Sequence, residues 1–258
     1  MPCDLGRVLL VGAGPGPADL MTLRAARAVE AAQALLYDAL VGPDVLALAP
    51  AACVKVQTGK RAGKSSMDQN TINRLMLRLA RRGLTVVRLK GGDPSVFGRS
   101  GEERAYLQAH GVEVETVPGV TAASAAAAQF GFPLTHRGAA RRLVFATART
   151  QDGRVVEDGW SALADPQATV VLYMGRDSAR AAVARLMSEG RAGSTPALAV
   201  ENAGHASARL ASADLAGLGD VVEAAGFTGP VLLLIGEVAA QARSEACATL
   251  RRPPRRRA

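Results

Sequence analysis

Four short segments, rich in glycine, bearing an acidic or basic residue, or both, are suited to small-molecule chemistry: GAGPGP (residues 12–17), YD (37–38), TGKRAGK (58–64) and KGGD (90–93). Gly91 and Gly92 lack a Cβ, so a ligand can approach the backbone there and meet its N–H and C=O groups directly. The first segment fails as a dinucleotide fingerprint, because G-x-G-x-x-G/A would end on Pro17 and because Pro15 removes a backbone donor. The third fails as a phosphate-binding P-loop, since its second Gly-Lys pair follows the first by only four residues. NAD and ATP are therefore poor fits. Taken alone, GAGPGP also reads as a tight βα turn, and KGGD as a strand-ending turn in which Asp93 caps a backbone amide. His136 has no carboxylate or second histidine at ligand spacing, and Cys3, Cys53 and Cys247 are odd in number and far apart, so no metal site is expected.

These loops need elements to hold them. Short aliphatic or β-branched runs alternate with Ala/Leu/Arg stretches of helical period, the pattern of an α/β chain with largely parallel strands. Strands are expected at Arg7–Val11, Ala34–Tyr37, Val54–Gln57, Thr85–Leu89 and Val112–Val117, with helices at Leu23–Ala34 (Thr22 as N-cap), Asn73–Arg82 and Glu102–Ala109. Each chemical segment follows a strand, and ligands of open α/β sheets bind beyond the strands' carboxyl ends, so the loops are expected to face one cleft. The second half reads as an Ala-rich helix at Ala122–Gln129 and a helix near Ala179–Glu189, with strands at Leu143–Ala146, Val170–Tyr173, Ala197–Val200 and Val231–Ile235. An added strand at Arg209–Asp214 implies a mixed sheet. Two α/β domains are expected, residues 1–118 and 119–243, followed by a basic, disordered tail over 244–258.

Composition narrows the function. The 258 residues carry 31 Lys+Arg against 23 Asp+Glu, a net +8, which first suggests an anionic partner. Residues 251–258 hold five of the arginines, leaving +3 on the rest. With 3% aromatic residues, base-stacking platforms are disfavoured and a nucleic-acid partner is not expected. The longest aliphatic run, Val231–Ile235, is far short of the ~20 residues that span a bilayer, so neither membrane association nor export is expected, and the scattered cysteines fit a reducing cytoplasm.

More specific are RLKGGDPSVFGRSGEE (88–103), VPGVTAAS (117–124), PLTHR (133–137) and LYMG (172–175). Together with VGAGPGP, LYDALV and GKRAG, in this order, they make the chain similar to the uroporphyrinogen-III C-methyltransferases, a branch of the tetrapyrrole (class III) methyltransferases. The resemblance runs from about Val8 to Glu237. It implies a two-domain α/β homodimer with its active-site cleft between the domains. It also implies transfer of two methyl groups, to C2 and C7, from S-adenosylmethionine to uroporphyrinogen III. The products would be S-adenosylhomocysteine and precorrin-2, which feeds sirohaem and cobalamin synthesis.

The family's donor contacts map onto Pro15, Gly91, Gly92, Asp93, Val96, Thr121, Ala122, Met174, Ala203 and, more weakly, Val231. Asp93 is an acceptor for ribose hydroxyls or the donor's ammonium, and its charge suits a sulfonium; an isolated methionine such as Met174 equally reads as core packing. The family's proton acceptor and donor map onto Asp38 and Lys60. Against these stand a loop cap for Asp38 and a solvated lysine for Lys60. An octacarboxylate substrate calls for a basic lining, for which Arg61, Lys64, Arg137 and Arg141 are candidates, each also readable as a solvated charge.

The chain departs from the family pattern at Ala39, Ser65, Ser95, Ala148, Arg149 and Ala203, where the resemblance leads one to expect arginine, a histidine segment, phenylalanine, Gly-His and glycine. None removes a proposed acid, base or GGD residue, but Ala203 would narrow the adenine side. The chain reads as a stand-alone methyltransferase. The rivals are a later precorrin methyltransferase of the same fold and a nucleic-acid binder using the arginine tail.

Overall fold

The computed structural model describes residues 5–59, 67–147 and 159–243. The chain forms two compact units that divide between Ala122 and Ala123, a few residues beyond the Pro118–Gly119 boundary expected from the change of period.

The first unit is built on β1 (Val8–Gly12), β2 (Ala34–Tyr37), β3 (Val54–Gln57), β4 (Val86–Lys90) and β5 (Val114–Val117). All pair in parallel, in the order β3-β2-β4-β1-β5. The connections carry α1 (Leu23–Glu30), α2 (Pro43–Leu46), α3 (Gln69–Ala80) and α4 (Ser100–Ala109). Alternation along the strands feeds two cores. Leu9, Val11, Leu35, Val87 and Leu89 pack with Val29 of α1 and Val45 of α2. Val8, Leu10, Ala34, Leu36 and Val86 pack with Ile72, Met76 and Leu107 of α3 and α4. A sheet covered on both faces needs apolar residues at successive positions, which is why β1 and β2 read as unbroken aliphatic runs.

The second unit holds α5 (Ala122–Phe130, whose first residue is the last of unit one), β6 (Arg142–Thr147), β7 (Ala168–Tyr173), α6 (Ala179–Ser188), β8 (Pro196–Glu201), β9 (Arg209–Asp214), α7 (Leu218–Ala224) and β10 (Val231–Ile235). The sheet order is β6-β7-β10-β8-β9, with β6 and β7 parallel and the remaining pairs antiparallel, the mixed sheet expected from the added strand at 209–214.

Thr22 caps α1, its hydroxyl accepting from the Ala25 amide at 3.1 Å. That helix stops at Glu30 rather than Ala34, because Ala34–Tyr37 is claimed by pairing with β3 and β4 on either side. α3 starts at Gln69 rather than Asn73, since Asp68 caps it by accepting from the Thr71 amide. β5 begins at Val114 rather than Val112, whose amide is spent on Leu107 in closing α4. The short helices α2 and α7 lacked enough turns to show a period. The expected tail, 244–258, lies outside the described residues.

Candidate functional site

Because all five strands of the first unit run the same way, the segments after β1, β2, β3, β4 and β5 leave one edge of the sheet. Two of them are locked backbone to backbone. The Gly92 amide donates to the Gly14 carbonyl at 2.7 Å, the Gly14 amide returns a bond to Gly92 at 3.2 Å, and Ala13 donates to Lys90 at 2.8 Å. A Cβ on Gly12 would sit 2.6 Å from the Gly119 Cα, and one on Gly119 would sit 2.2 Å from the Gly92 carbonyl oxygen. These approaches exclude any side chain at either position. Gly92 has φ +69°, which glycine adopts without cost, and a Cβ there would meet nothing nearer than the Thr121 Cα at 3.9 Å. Pro15, Gly91, Gly92, Asp93, Val96 and Thr121 thus come from loops on one edge, and Ala122 opens the helix that follows the last of them.

Asp93 ties this edge together. One carboxylate oxygen accepts from the Ser95 amide at 2.7 Å and the other from the Gly119 amide at 2.9 Å. The amide-capping role set against ligand binding in the sequence is present, and it spans two loops rather than one turn. Each oxygen keeps a lone pair for a further donor.

Asp38 follows β2 and is partly exposed. Arg88 donates to its Oδ1 at 2.5 Å. This ion pair replaces the loop cap that stood as the alternative. Arg88 continues inward: Nε donates to Glu103 at 3.1 Å and Nη1 to the Thr58 hydroxyl at 3.2 Å. Lys90 donates to both oxygens of Glu103, at 3.0 and 2.9 Å, and Gln69 donates to the same carboxylate at 3.1 Å. Arg88, Lys90 and Glu103 are all but inaccessible, so the charges survive burial because each is paired and hydrogen-bonded. Burial pushes the Lys90 ammonium below its ordinary range, helped by the Arg88 charge and opposed by Glu103 and Asp38.

Lys60, Arg61 and Lys64 lie outside the described residues. The last described residue before them, Gly59, packs so tightly that a Cβ would fall 2.3 Å from the Ala39 amide nitrogen, so Gly59 itself lies against the residue after Asp38.

In the second unit the register brings three candidates to one edge. The Gly175 amide, next to Met174, donates to Val231 at 3.1 Å, and the Asn202 amide, next to Ala203, donates to Pro230 at 3.0 Å. Met174 is 55% exposed with φ +56°, so it is not the core residue that an isolated methionine suggests. Asn202 is likewise left-handed, with φ +51°. These two positions follow β7 and β8, which flank β10 in the sheet; asparagine adopts this region readily, whereas for methionine it costs conformational energy, so Met174 is the one backbone here held against its own preference. Ala203 is buried, and the loop around it is pinned by Gln129, which accepts from the Gly204 amide and donates to the His205 carbonyl, both at 2.9 Å. Glu201 fixes the facing turn, accepting from the Thr228 and Gly229 amides at 2.6 Å each and from Arg209 at 2.7 Å. Arg137 is exposed, and Arg141 is exposed with its guanidinium on the Gln167 side chain at 2.5 Å.

The buried ionic group is the part the sequence reading missed. A signal existed: Arg88 and Lys90 are two apart in a strand otherwise fit for a two-sided core, so both must share one face, which the structure shows to be the one covered by α3 and α4. Nothing local distinguishes Glu103 from its neighbour Glu102 as their partner. A cavity of about 500 Å³ lies elsewhere, lined by Arg74 and Arg78 of α3, by Arg81 and Arg82 just past its end, and by Tyr106 and His110. It sits toward the carboxyl ends of the helices, at the opposite edge from the glycine loops, so it is set apart from this chemistry. Among the described residues, no helix is long and apolar enough to cross a membrane and no group of metal-ligating side chains occurs.

The chain is 47% identical over 233 residues to a siroheme synthase of Chromobacterium violaceum, covering 90% of this chain and 49% of that protein. It is 44% identical over 241 residues to the chloroplastic S-adenosyl-L-methionine-dependent uroporphyrinogen III methyltransferase of Arabidopsis thaliana, covering 92% and 64%. The chain thus spans about half the length of the siroheme synthase and less than two thirds of the plant protein. Among solved structures, the uroporphyrin-III C-methyl transferase of Thermus thermophilus complexed with S-adenyl homocysteine superposes with a TM-score of 0.78 at 42% identity, over 91% of this chain and 99% of that one. The family model for tetrapyrrole (corrin/porphyrin) methylases matches residues 7–219, most of both units and the loops that carry Pro15, Asp38, Asp93, Thr121, Met174 and Ala203, and with it the chain belongs to the tetrapyrrole (corrin/porphyrin) methylases.

Proposed function

We propose that this protein transfers two methyl groups, to C2 and C7, from S-adenosylmethionine to uroporphyrinogen III, yielding precorrin-2 and S-adenosylhomocysteine. The observation that carries the reading is the 42% identity over nearly the whole length of a uroporphyrin-III C-methyl transferase crystallised with S-adenyl homocysteine. The lock between Gly14 and Gly92 supports it locally, because it leaves bare backbone beside Asp93 at the edge where a donor would lie.

The donor, once bound, supplies an electrophilic methyl on a sulfonium. Gly91, Gly92, Thr121, Ala122, Pro15 and Val96 bind and orient it through backbone and small side chains; Asp93 receives its hydroxyls or ammonium on the lone pairs left by Ser95 and Gly119. Met174, Ala203 and Val231 serve the same ligand. Each transfer forms a carbon–carbon bond at a ring carbon as the sulfur–methyl bond breaks, and the resulting cationic ring must lose a proton. Asp38 accepts it, and Lys60 returns a proton where the ring requires one. Most of the acceleration comes from holding methyl, sulfur and ring carbon in line. Arg61, Lys64, Arg137 and Arg141 receive substrate carboxylates. The protein acts as a cytoplasmic homodimer without a metal, and the siroheme synthases among its relatives favour sirohaem as the destination. The units act as N-terminal and C-terminal domains divided near residue 118, with residues 244–258 as an accessory tail.

Incubation of the purified protein with enzymatically generated uroporphyrinogen III and labelled donor, with chromatographic resolution of mono- and dimethylated products, tests the reading. Absence of any methylated tetrapyrrole rejects it.

A further inference from the structure

Arg88 takes no part in the chemistry just described, yet it is 3% exposed and all three guanidinium nitrogens are engaged. Nη2 meets Asp38 Oδ1 at 2.5 Å, Nη1 meets the Thr58 hydroxyl at 3.2 Å, and Nε meets Glu103 Oε1 at 3.1 Å. A planar guanidinium held at three corners has no freedom to rotate. Its anchor is itself fixed, since Glu103 is fully buried and also receives Lys90 and Gln69. Thr58 is fixed from the other side, its hydroxyl within 3.1 Å of the Tyr37 carbonyl. Two cations and two anions balance across the group, and Asp38, 31% exposed at its side chain, is the member that reaches the surface. Its Oδ1 is held, whereas no described residue donates to Oδ2.

We propose that Arg88 is a positioning residue for Asp38, gripping Oδ1 so that Oδ2 is presented as the proton-accepting oxygen, with Glu103 and Thr58 setting the guanidinium plane. The proposal rests on the reading of Asp38 as proton acceptor. Lysine at position 88 would keep the charge but cannot reach Asp38, Thr58 and Glu103 at once.

The test is a double-mutant cycle in turnover, with S-adenosylhomocysteine affinity measured by calorimetry and folding by thermal unfolding. Arg88→Lys is expected to lower kcat by about 10- to 100-fold, the scale of a misplaced group, with inhibitor affinity unchanged. Asp38→Asn is expected to lower kcat on its own and to cause little further loss in the Arg88→Lys background, because both changes disable one device. Equal fractional losses from Asp38→Asn in both backgrounds overturn the proposal and leave the proton-acceptor reading standing. Native turnover in Asp38→Asn alone removes that reading, and the proposal with it. Should Arg88→Lys fail to fold, Thr58→Val takes its place: it is near-isosteric, removes both the acceptor for Nη1 and the long 3.4 Å approach of the hydroxyl to Asp38 Oδ1, the same oxygen Arg88 grips, and is expected to lower kcat with the same non-additivity toward Asp38→Asn. Full activity in folded Thr58→Val then counts against the proposal.

Discussion

The carboxylate of Asp93 reaches across the sheet edge to the amide of Gly119, accepting a 2.9 Å hydrogen bond that ties the loop after β4 to the loop after β5. With its second oxygen on the Ser95 amide, the side chain serves the loop before any ligand arrives. Asp93→Ala leaves both amides without these acceptors, and a loss of about 1–3 kcal/mol of stability is expected, together with weakened S-adenosylhomocysteine binding. Asp93→Asn, which keeps one carbonyl oxygen, should fall between. Denaturant unfolding and calorimetry read the two effects separately; an unchanged unfolding midpoint in Asp93→Ala would show that the amide bonds add nothing to the fold.

Met174 carries a left-handed backbone and an exposed side chain, so its replacement by glycine separates strain from contact. Met174→Gly removes roughly 1–2 kcal/mol of conformational cost, offset in part by the greater freedom of glycine in the unfolded chain. The melting temperature is expected to hold or rise while affinity for S-adenosylhomocysteine falls. A variant that melts lower and binds normally would assign the methionine to the fold.

Glu201 links stability to pH. The Arg209 hydrogen bond, foremost, and those from Gly229 and Thr228 hold its carboxyl below the ordinary value, against desolvation. A depressed folded-state pKa stabilises the protein above the unfolded value, near 4.5, and that contribution is lost as pH falls through the folded value. Glu201→Gln should therefore unfold more easily than the parent at pH 7, by about 1–3 kcal/mol for a buried, hydrogen-bonded charge, and the gap should close below the ordinary carboxylate range. Thermal melts of both proteins from pH 7 to pH 3 check the sign; a gap independent of pH contradicts it.

Lys60 follows Gly59, which packs on Ala39 next to Asp38. Lys60→Ala is expected to lower the second methylation more than the first and to leave donor binding intact. The ratio of mono- to dimethylated product, followed with time, reports this directly, and an unchanged ratio and rate would exclude Lys60 from the proton chemistry.

Much of this was readable from local pattern. The strands at 34–37, 54–57, 209–214 and 231–235 coincide with their aliphatic or alternating runs, and Thr22 caps the helix its type predicts, because side-chain period and hydrogen-bonding capacity are properties of neighbouring residues. Helix ends were less legible. Whether Ala34 extends α1 or starts β2 depends on strands that arrive from residues 54 and 86 onward.

The sequence by itself determined the α/β class, the glycine loops after the strands, and, through the order of its motifs, membership in the family. Only the tertiary structure decided which charges meet. Arg88 finds one acid 15 residues away and another 50 away, and Asp93 finds an amide 26 residues on. Such pairings rest on the strand order β3-β2-β4-β1-β5 and on which face of β4 points at α4, neither of which is encoded in a local period. The same applies to the burial that makes those pairings matter. A charged residue on an alternating strand is cheap at a surface, and it becomes a fixed device only when both faces of the sheet are covered.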